Sequence, residues 1–259
     1  MADSDIVLLY DSPGNCAEDK LWSPNAWKIR FILNYKRIPY KTVWIELCDI
    51  EKVCKEVGAP PLEGVWPRYG IPFLYDPVTK SWHSNSLDIA VHLDAAYPQM
   101  PAFFPLGTEA LIRGWEALWL PTAFSAIVPL GVFRTYQQLN PITQPYFRRT
   151  REGALGRPLE EIEGTPEQQP AKWEALKEAL GRFDAYMTEK GPFVAGERIT
   201  YADVLMAGWL VWIKRLWGPN SKEWKEVEGW HGGRWGRFMA EFSKYEHAED
   251  KVVLKVPVP

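Results

Sequence analysis

The pattern of apolar and polar positions changes near residue 100. Before it, short apolar runs alternate with amphipathic stretches. Residues 6–10 read as a buried strand, and 26–35 as a helix that repeats Trp27, Phe31 and Tyr35 at helical spacing. A strand is predicted over 40–47 and a helix over 50–57. The loop that follows holds Pro60, Pro61, Gly64, Pro67 and Gly70, which no regular element crosses. Residues 72–76 and 81–84 read as two short strands joined by the turn-forming Asp76-Pro77-Val78-Thr79-Lys80, and a helix over 86–96 ends before Pro98.

This order predicts an α/β sandwich of two parallel and two antiparallel strands, which is the thioredoxin-like arrangement. Pro98, Pro101, Pro105 and Gly107 form a linker, and beyond it the strand signals cease. The expected organisation is α+β, with a thioredoxin-like domain over 1–100 and an all-helical bundle domain over 108–259. In the second part Leu111, Trp115, Leu118 and Trp119 share a helical face before Pro121, and Trp173, Leu176, Leu180, Phe183 and Met187 share another. Thr200 and Asp203 form a variant capping box that opens a segment, 204–212, apolar on all sides, so this helix belongs in the middle of a bundle. Residues 153–170, rich in Gly, Pro and Glu, read as a long surface connection.

Composition narrows the function. The chain has 259 residues with a net charge of -3 and no basic stripe, so nucleic acid is excluded as a partner. No apolar run reaches the roughly 18 residues that span a bilayer, and the acidic start Met1-Ala2-Asp3-Ser4-Asp5 is unlike a secretory signal. A cytoplasmic protein without a membrane partner is expected. Cys16, Cys48 and Cys54 are odd in number and lack metal-binding spacing, so neither a disulfide scaffold nor a metal site is supported. The 14 Trp, 11 Tyr and 11 Phe residues stand out. They imply either an aromatic core or an aromatic ligand site.

The candidate chemistry lies in three segments. In Trp22-Ser23-Pro24-Asn25-Ala26-Trp27, Ser and Pro start a helix. This is either a plain cap or an anion site whose free amides and hydroxyl stabilise a bound thiolate. Gly70-Ile71-Pro72-Phe73 is either a strand-edge proline or a cis peptide that leaves the Ile71 backbone free for an extended ligand. Asn85-Ser86 is a second polar helix start, explicable by capping or as a carboxylate site.

Together these segments resemble those of a cytosolic glutathione transferase. The resemblance runs through Ser23-Pro24-Asn25-Ala26-Trp27-Lys28-Ile29-Arg30, the Ile71-Pro72 step, Asn85-Ser86-Leu87-Asp88-Ile89-Ala90-Val91-His92-Leu93-Asp94 and Ile199-Thr200-Tyr201-Ala202-Asp203. The long first turn and Tyr146-Phe147-Arg148-Arg149-Thr150-Arg151-Glu152 are most like the fungal etherase-related class (FuA), which is similar to bacterial β-etherases. The resemblance implies glutathione as co-substrate, no metal, a homodimer and hydrophobic aromatic second substrates. It implies that Ser23, or Asn25 in competition, contacts the thiolate, that Ile71 before cis-Pro72 pairs with the cysteinyl backbone, and that Ser86 holds the γ-glutamyl carboxylate. Asn85 stands where the family usually has an acid, which removes an acceptor for the γ-glutamyl ammonium. Lys52, Lys55 and Arg68 are the candidates for the glycyl carboxylate. Cys16 lies outside the motif and reads as a structural thiol.

The implied activity is thiol activation for conjugation, peroxide reduction or ether cleavage, a detoxifying role. The rival is a ligandin-like binder of glutathione and aromatic or polyphenolic compounds, without turnover. On this reading Trp115, Trp119, Trp173, Trp209 and Trp212 belong to the core, whereas Trp22, Trp27, Trp66, Tyr69, Trp217, Trp224, Trp230 and Trp235 are expected to touch a planar ligand.

Overall fold

The computed structural model describes residues 6–64, 66–187, 191–247 and 254–255; the acidic start Met1 to Asp5 lies outside them. The chain begins with β1 (Val7–Asp11), α1 (Pro24–Tyr35), β2 (Tyr40–Trp44), α2 (Ile50–Val57), β3 (Phe73–Asp76), β4 (Ser81–Ser84) and α3 (Ser86–Ala96). β1 and β2 run parallel, β3 is antiparallel to β1, and β4 is antiparallel to β3, as the sequence pattern requires. The second strand is shorter than expected, because Leu47–Asp49 already turns as a 3-10 helix into α2. The buried Arg30 guanidinium ties α1 to the sheet through Asp11 at 3.3 Å and Thr42 at 2.8 Å.

The helical part comprises α4 (Glu109–Trp119), α5 (Ser125–Gln138), α6 (Gln144–Leu155), α7 (Leu159–Glu163), α8 (Gln169–Tyr186), α9 (Tyr201–Trp217) and α10 (Lys222–Ser243). A two-residue strand, β5 (Leu254–Lys255), pairs with β2 and extends the sheet to the order β4-β3-β1-β2-β5. As expected, α9 is the central helix: every residue from Tyr201 to Ile213 is buried. Both halves of its capping box are formed, the Thr200 backbone N–H donating to Asp203 Oδ2 at 2.8 Å, and the Thr200 hydroxyl also donates to Oδ2 at 2.8 Å.

Two expectations about the helical part fail. Pro121 sits in a π-helical turn, Leu120–Phe124, that carries α4 into α5, where a proline near the start of a new register forfeits few hydrogen bonds. The joined helix Glu109–Gln138 is long and apolar enough to cross a membrane by length and composition. Here it packs instead as a wall of the bundle, with Ile112, Trp119, Ala123, Ile127 and Leu130 buried. The face expected to be buried is also rotated: Ile112 and Trp119 point inward, while Leu111 and Leu118 are exposed. The stretch 153–170 is no open connection, since it holds the end of α6, all of α7 with Leu159 and Ile162 buried, and the start of α8. Short apolar i, i+3 pairs between glycines gave too little period to be recognised.

Candidate functional site

Strand register gathers the three candidate segments at one end of the sheet. Tyr10 and Ser84 both pair with Phe73, so the start of α3 lies beside the start of β3 and the loop after β1 faces them. Ile71-Pro72 is cis, and so is Trp66-Pro67 in the same loop, which sequence reading did not single out.

Ser23 caps α1. It is buried, and its Oγ accepts from the Ala26 N–H at 3.4 Å, which leaves the hydroxyl proton available to a further acceptor. The adjacent Asn25 accepts at Oδ1 from Lys28 Nζ at 2.9 Å. An ammonium has only donors, so this contact fixes the amide: Oδ1 faces Lys28, and the Nδ2 donors turn to the other side. Lys28 is buried, and desolvation pulls its pKa down to about 8 against the opposing pull of Glu116 on α4. It lies 5.7 Å from the centre of the Trp209 ring. The buried amine fits because Gly208 on α9 has no side chain: a Cβ there would meet Pro24 O at 2.7 Å and Lys28 Cγ at 2.8 Å.

Ser86 opens α3, and its Oγ is 3.1 Å from the hydroxyl of the fully buried Tyr201. Burial raises the Tyr201 pKa well above its ordinary value, so the phenol stays protonated and can donate. Asn85 is exposed, takes a positive φ of 69° and caps α3 through Oδ1 on the Leu87 N–H at 3.0 Å. Asn tolerates this backbone region better than most non-glycine residues.

A cavity of about 440 Å³ lies between these segments and the helical domain. Ser23, Asn25, Ile71, Trp22, Trp66 and Tyr69 line one side, and Phe124, Tyr146, Arg151, Trp209 and Trp212 the other. Its size and largely aromatic walls suit a small organic ligand. Pro72, Asn85 and Ser86 stand beside this cavity but are not among its lining residues. Lys52, Lys55 and Arg68 are not among them either; Lys55 is held by Glu51 at 2.6 Å and Lys52 lies 3.8 Å from Glu56. Cys16 lines a different hollow, and burial pushes its thiol up to about 11, the opposite of a reactive cysteine. A larger hollow beside Asp184, His231 and Arg234 holds none of the candidate residues, and Arg234 is paired there with Asp184 at 2.7 Å.

The aromatic assignment is partly reversed. Trp209 and Trp212 are buried in the core as expected and also line the cavity, whereas Trp27, Trp224 and Trp235, expected to touch a ligand, are fully buried in the hydrophobic core. Trp217 and Trp230 pack edge-on against Trp173. The reason is that α9 is buried on every side, so its own indoles form the cavity floor, while the rings of α10 face inward from both segments of a helix broken at 230–233. Sequence reading also missed the roles of Lys28 and Tyr201. For Arg151 there was a signal: Arg148 has Glu152 four residues on, whereas Arg151 has Phe147 and Leu155 at the same spacing.

Residues 19–101 match the family described as glutathione S-transferase, N-terminal domain, and residues 110–245 match its C-terminal domain. A glutathione S-transferase-like protein, ustS of Aspergillus flavus, is 32% identical over 222 residues, covering 80% of this chain and 79% of that protein. The fold superposes on a glutathione S-transferase of Ceriporiopsis subvermispora crystallised with glutathione, with a TM-score of 0.90 and 38% identity over 95% of this chain and 99% of that one. It also superposes on glutathione transferase GSTFuA3 of Phanerochaete chrysosporium, with a TM-score of 0.86 and 37% identity over 94% and 98% of the two chains. Two-domain architecture, a helix-start site beside a cis-proline and matches over most of the chain agree: this protein belongs to the glutathione S-transferase family, with fungal FuA-class enzymes among its structural relatives.

Proposed function

We propose that the protein is a glutathione transferase that activates the thiol of glutathione for attack on a hydrophobic aromatic electrophile. The observation that carries this reading is the pair of donors at the start of α1. The Ser23 hydroxyl and the amide of Asn25, turned by Lys28, line the same cavity as the aromatic wall. Glutathione brings its own nucleophile, so the protein has only to hold the sulfur as an anion and place it. The helix N-terminus, the two donors and the ammonium of Lys28 one turn behind all favour a thiolate.

The Ile71 backbone beside cis-Pro72 suits the cysteinyl unit, and Ser86 suits the γ-glutamyl carboxylate. Tyr201 would donate to Ser86 Oγ and leave the serine proton for that carboxylate. Asn85 spends its oxygen on the helix cap, so the γ-glutamyl ammonium has no charged acceptor at that position. Peroxide reduction and ether cleavage need the same thiolate and belong to the same proposal, as does a homodimer. The cavity's aromatic lining also favours the ligandin-like alternative.

One experiment separates the two. The purified protein is tested for retention on immobilised glutathione, then assayed with an aryl halide, an organic hydroperoxide and an aryl ether. Retention with turnover of at least one substrate is expected. Tight tryptophan quenching by polyphenols without turnover of any of the three would replace the enzyme with a binder.

A further inference from the structure

The cavity contains a cation that glutathione activation does not use. Arg151 on α6 lines it, with its guanidinium 4.9 Å from the centre of the Phe147 ring. The hydrogen bond it makes within the fold goes to the adjacent Thr150 hydroxyl at 3.3 Å. No carboxylate pairs with it among the described residues. Burial lowers its pKa, and the Tyr146 hydroxyl is the one group that acts in the other direction. Arg148, on the same helix, provides the contrast, held by Glu152 at 2.8 Å and Glu160 at 2.6 Å. Glu51 reaches Tyr146 electrostatically but is committed to Lys55 at 2.6 Å, and Arg149 lies 5.6 Å from the centre of the Tyr146 ring.

A guanidinium has five donors in a rigid fork, and even partial withdrawal from water without an acid partner carries a cost. Arg151 is partly exposed and sits at an aromatic cavity, across from the start of α1. Trp22 and Trp209 line the same cavity, and their buried indole N–H groups have no acceptor among the described residues. The surroundings therefore offer donors and flat apolar walls, and no carboxylate stands among the lining residues.

We propose that Arg151 selects aromatic acids: the ring of the second ligand lies among the cavity's aromatic side chains and its carboxylate takes the Arg151 fork. The inference rests on the cavity being the second-substrate site, and it narrows the substrate class from aromatic to aromatic and anionic. The competing use of the same guanidinium is the glycyl carboxylate of glutathione.

The test uses 2-naphthoate and its neutral counterpart 2-naphthamide, titrated by quenching of the cavity tryptophans, with glutathione affinity measured separately by calorimetry. The wild type should bind naphthoate on the order of 10-fold more tightly than naphthamide, the scale of a charged hydrogen bond. Arg151→Met should erase that preference while leaving naphthamide and glutathione binding unchanged, and Arg151→Lys should keep part of it. Equal binding of the two probes by the wild type would overturn the proposal. So would an equal loss of both probes in Arg151→Met, or a loss of glutathione affinity with naphthoate unaffected. If glutathione neither binds nor reacts while the naphthoate preference survives, the transferase reading fails and this inference stands.

Discussion

The two walls of the cleft are built by different rules. The wall from the thioredoxin-like part presents the hydroxyl and amide at the start of α1 and the Ile71 backbone ahead of β3, with the start of α3 beside it, positions set by local capping and turn chemistry. The wall from the helical part presents Tyr146, Arg151, Trp209 and Trp212, which reach the cavity only because α6 and α9 pack at a particular rotation. The first wall suits one invariant peptide, and the second suits whatever ligand fills the remaining space. Changes to the first should therefore alter rate and glutathione affinity, and changes to the second should alter the choice of partner.

The largest effect is expected on the first wall. Ser23→Ala removes a donor to the developing thiolate and should lower kcat about 100-fold with little change in glutathione affinity. Steady-state kinetics with an aryl halide check this, and an intact rate in Ser23→Ala with a collapse in Asn25→Ala would hand the role to Asn25. Next comes Lys28→Met, which removes a nearby positive charge and frees the Asn25 amide to rotate. It should raise the pKa of the bound thiol by roughly one pH unit, read from thiolate absorbance against pH. The sign follows from Lys28 itself: with its pKa near 8 it is charged below that pH and supports the thiolate there, and the support fades above it. Wild type and Lys28→Met should therefore differ at pH 7 and converge above about pH 9. The smallest effect sharpens the division between the walls. Tyr201 belongs to α9 yet touches Ser86, so Tyr201→Phe should weaken glutathione binding about 3-fold and leave kcat unchanged, the scale of one neutral hydrogen bond. Calorimetry and kinetics together distinguish that split from general destabilisation.

The same contrast explains how much could be read from the sequence. Ser23-Pro24, Ile71-Pro72 and Asn85-Ser86 are local signals, because caps and strand-entry prolines act within three or four residues. The succession of strands and helices before residue 100 and the buried, capped α9 were legible for the same reason. The cavity role of Trp209 was hidden because a helix buried all round carries no periodicity to show which of its core rings also face a void. Trp224 and Trp235 were misplaced because the break at His231, Gly232 and Gly233 resets the helical phase between them. The short link between Asn25 and Lys28 lay within one helical turn. Its importance rests on Gly208, almost two hundred residues away in the chain.

That glycine bears on ancestry and engineering. The floor of the proposed sulfur site is shared property: Pro24 and Lys28 come from one domain, and the space they occupy comes from the other. A chimera that joins the first hundred residues of one relative to the helical domain of another inherits a working α1 only if the incoming α9 has a glycine opposite it. The segment that must be transplanted intact is the interlocked pair of helices, and a crossover placed at the proline-rich linker cuts straight through it.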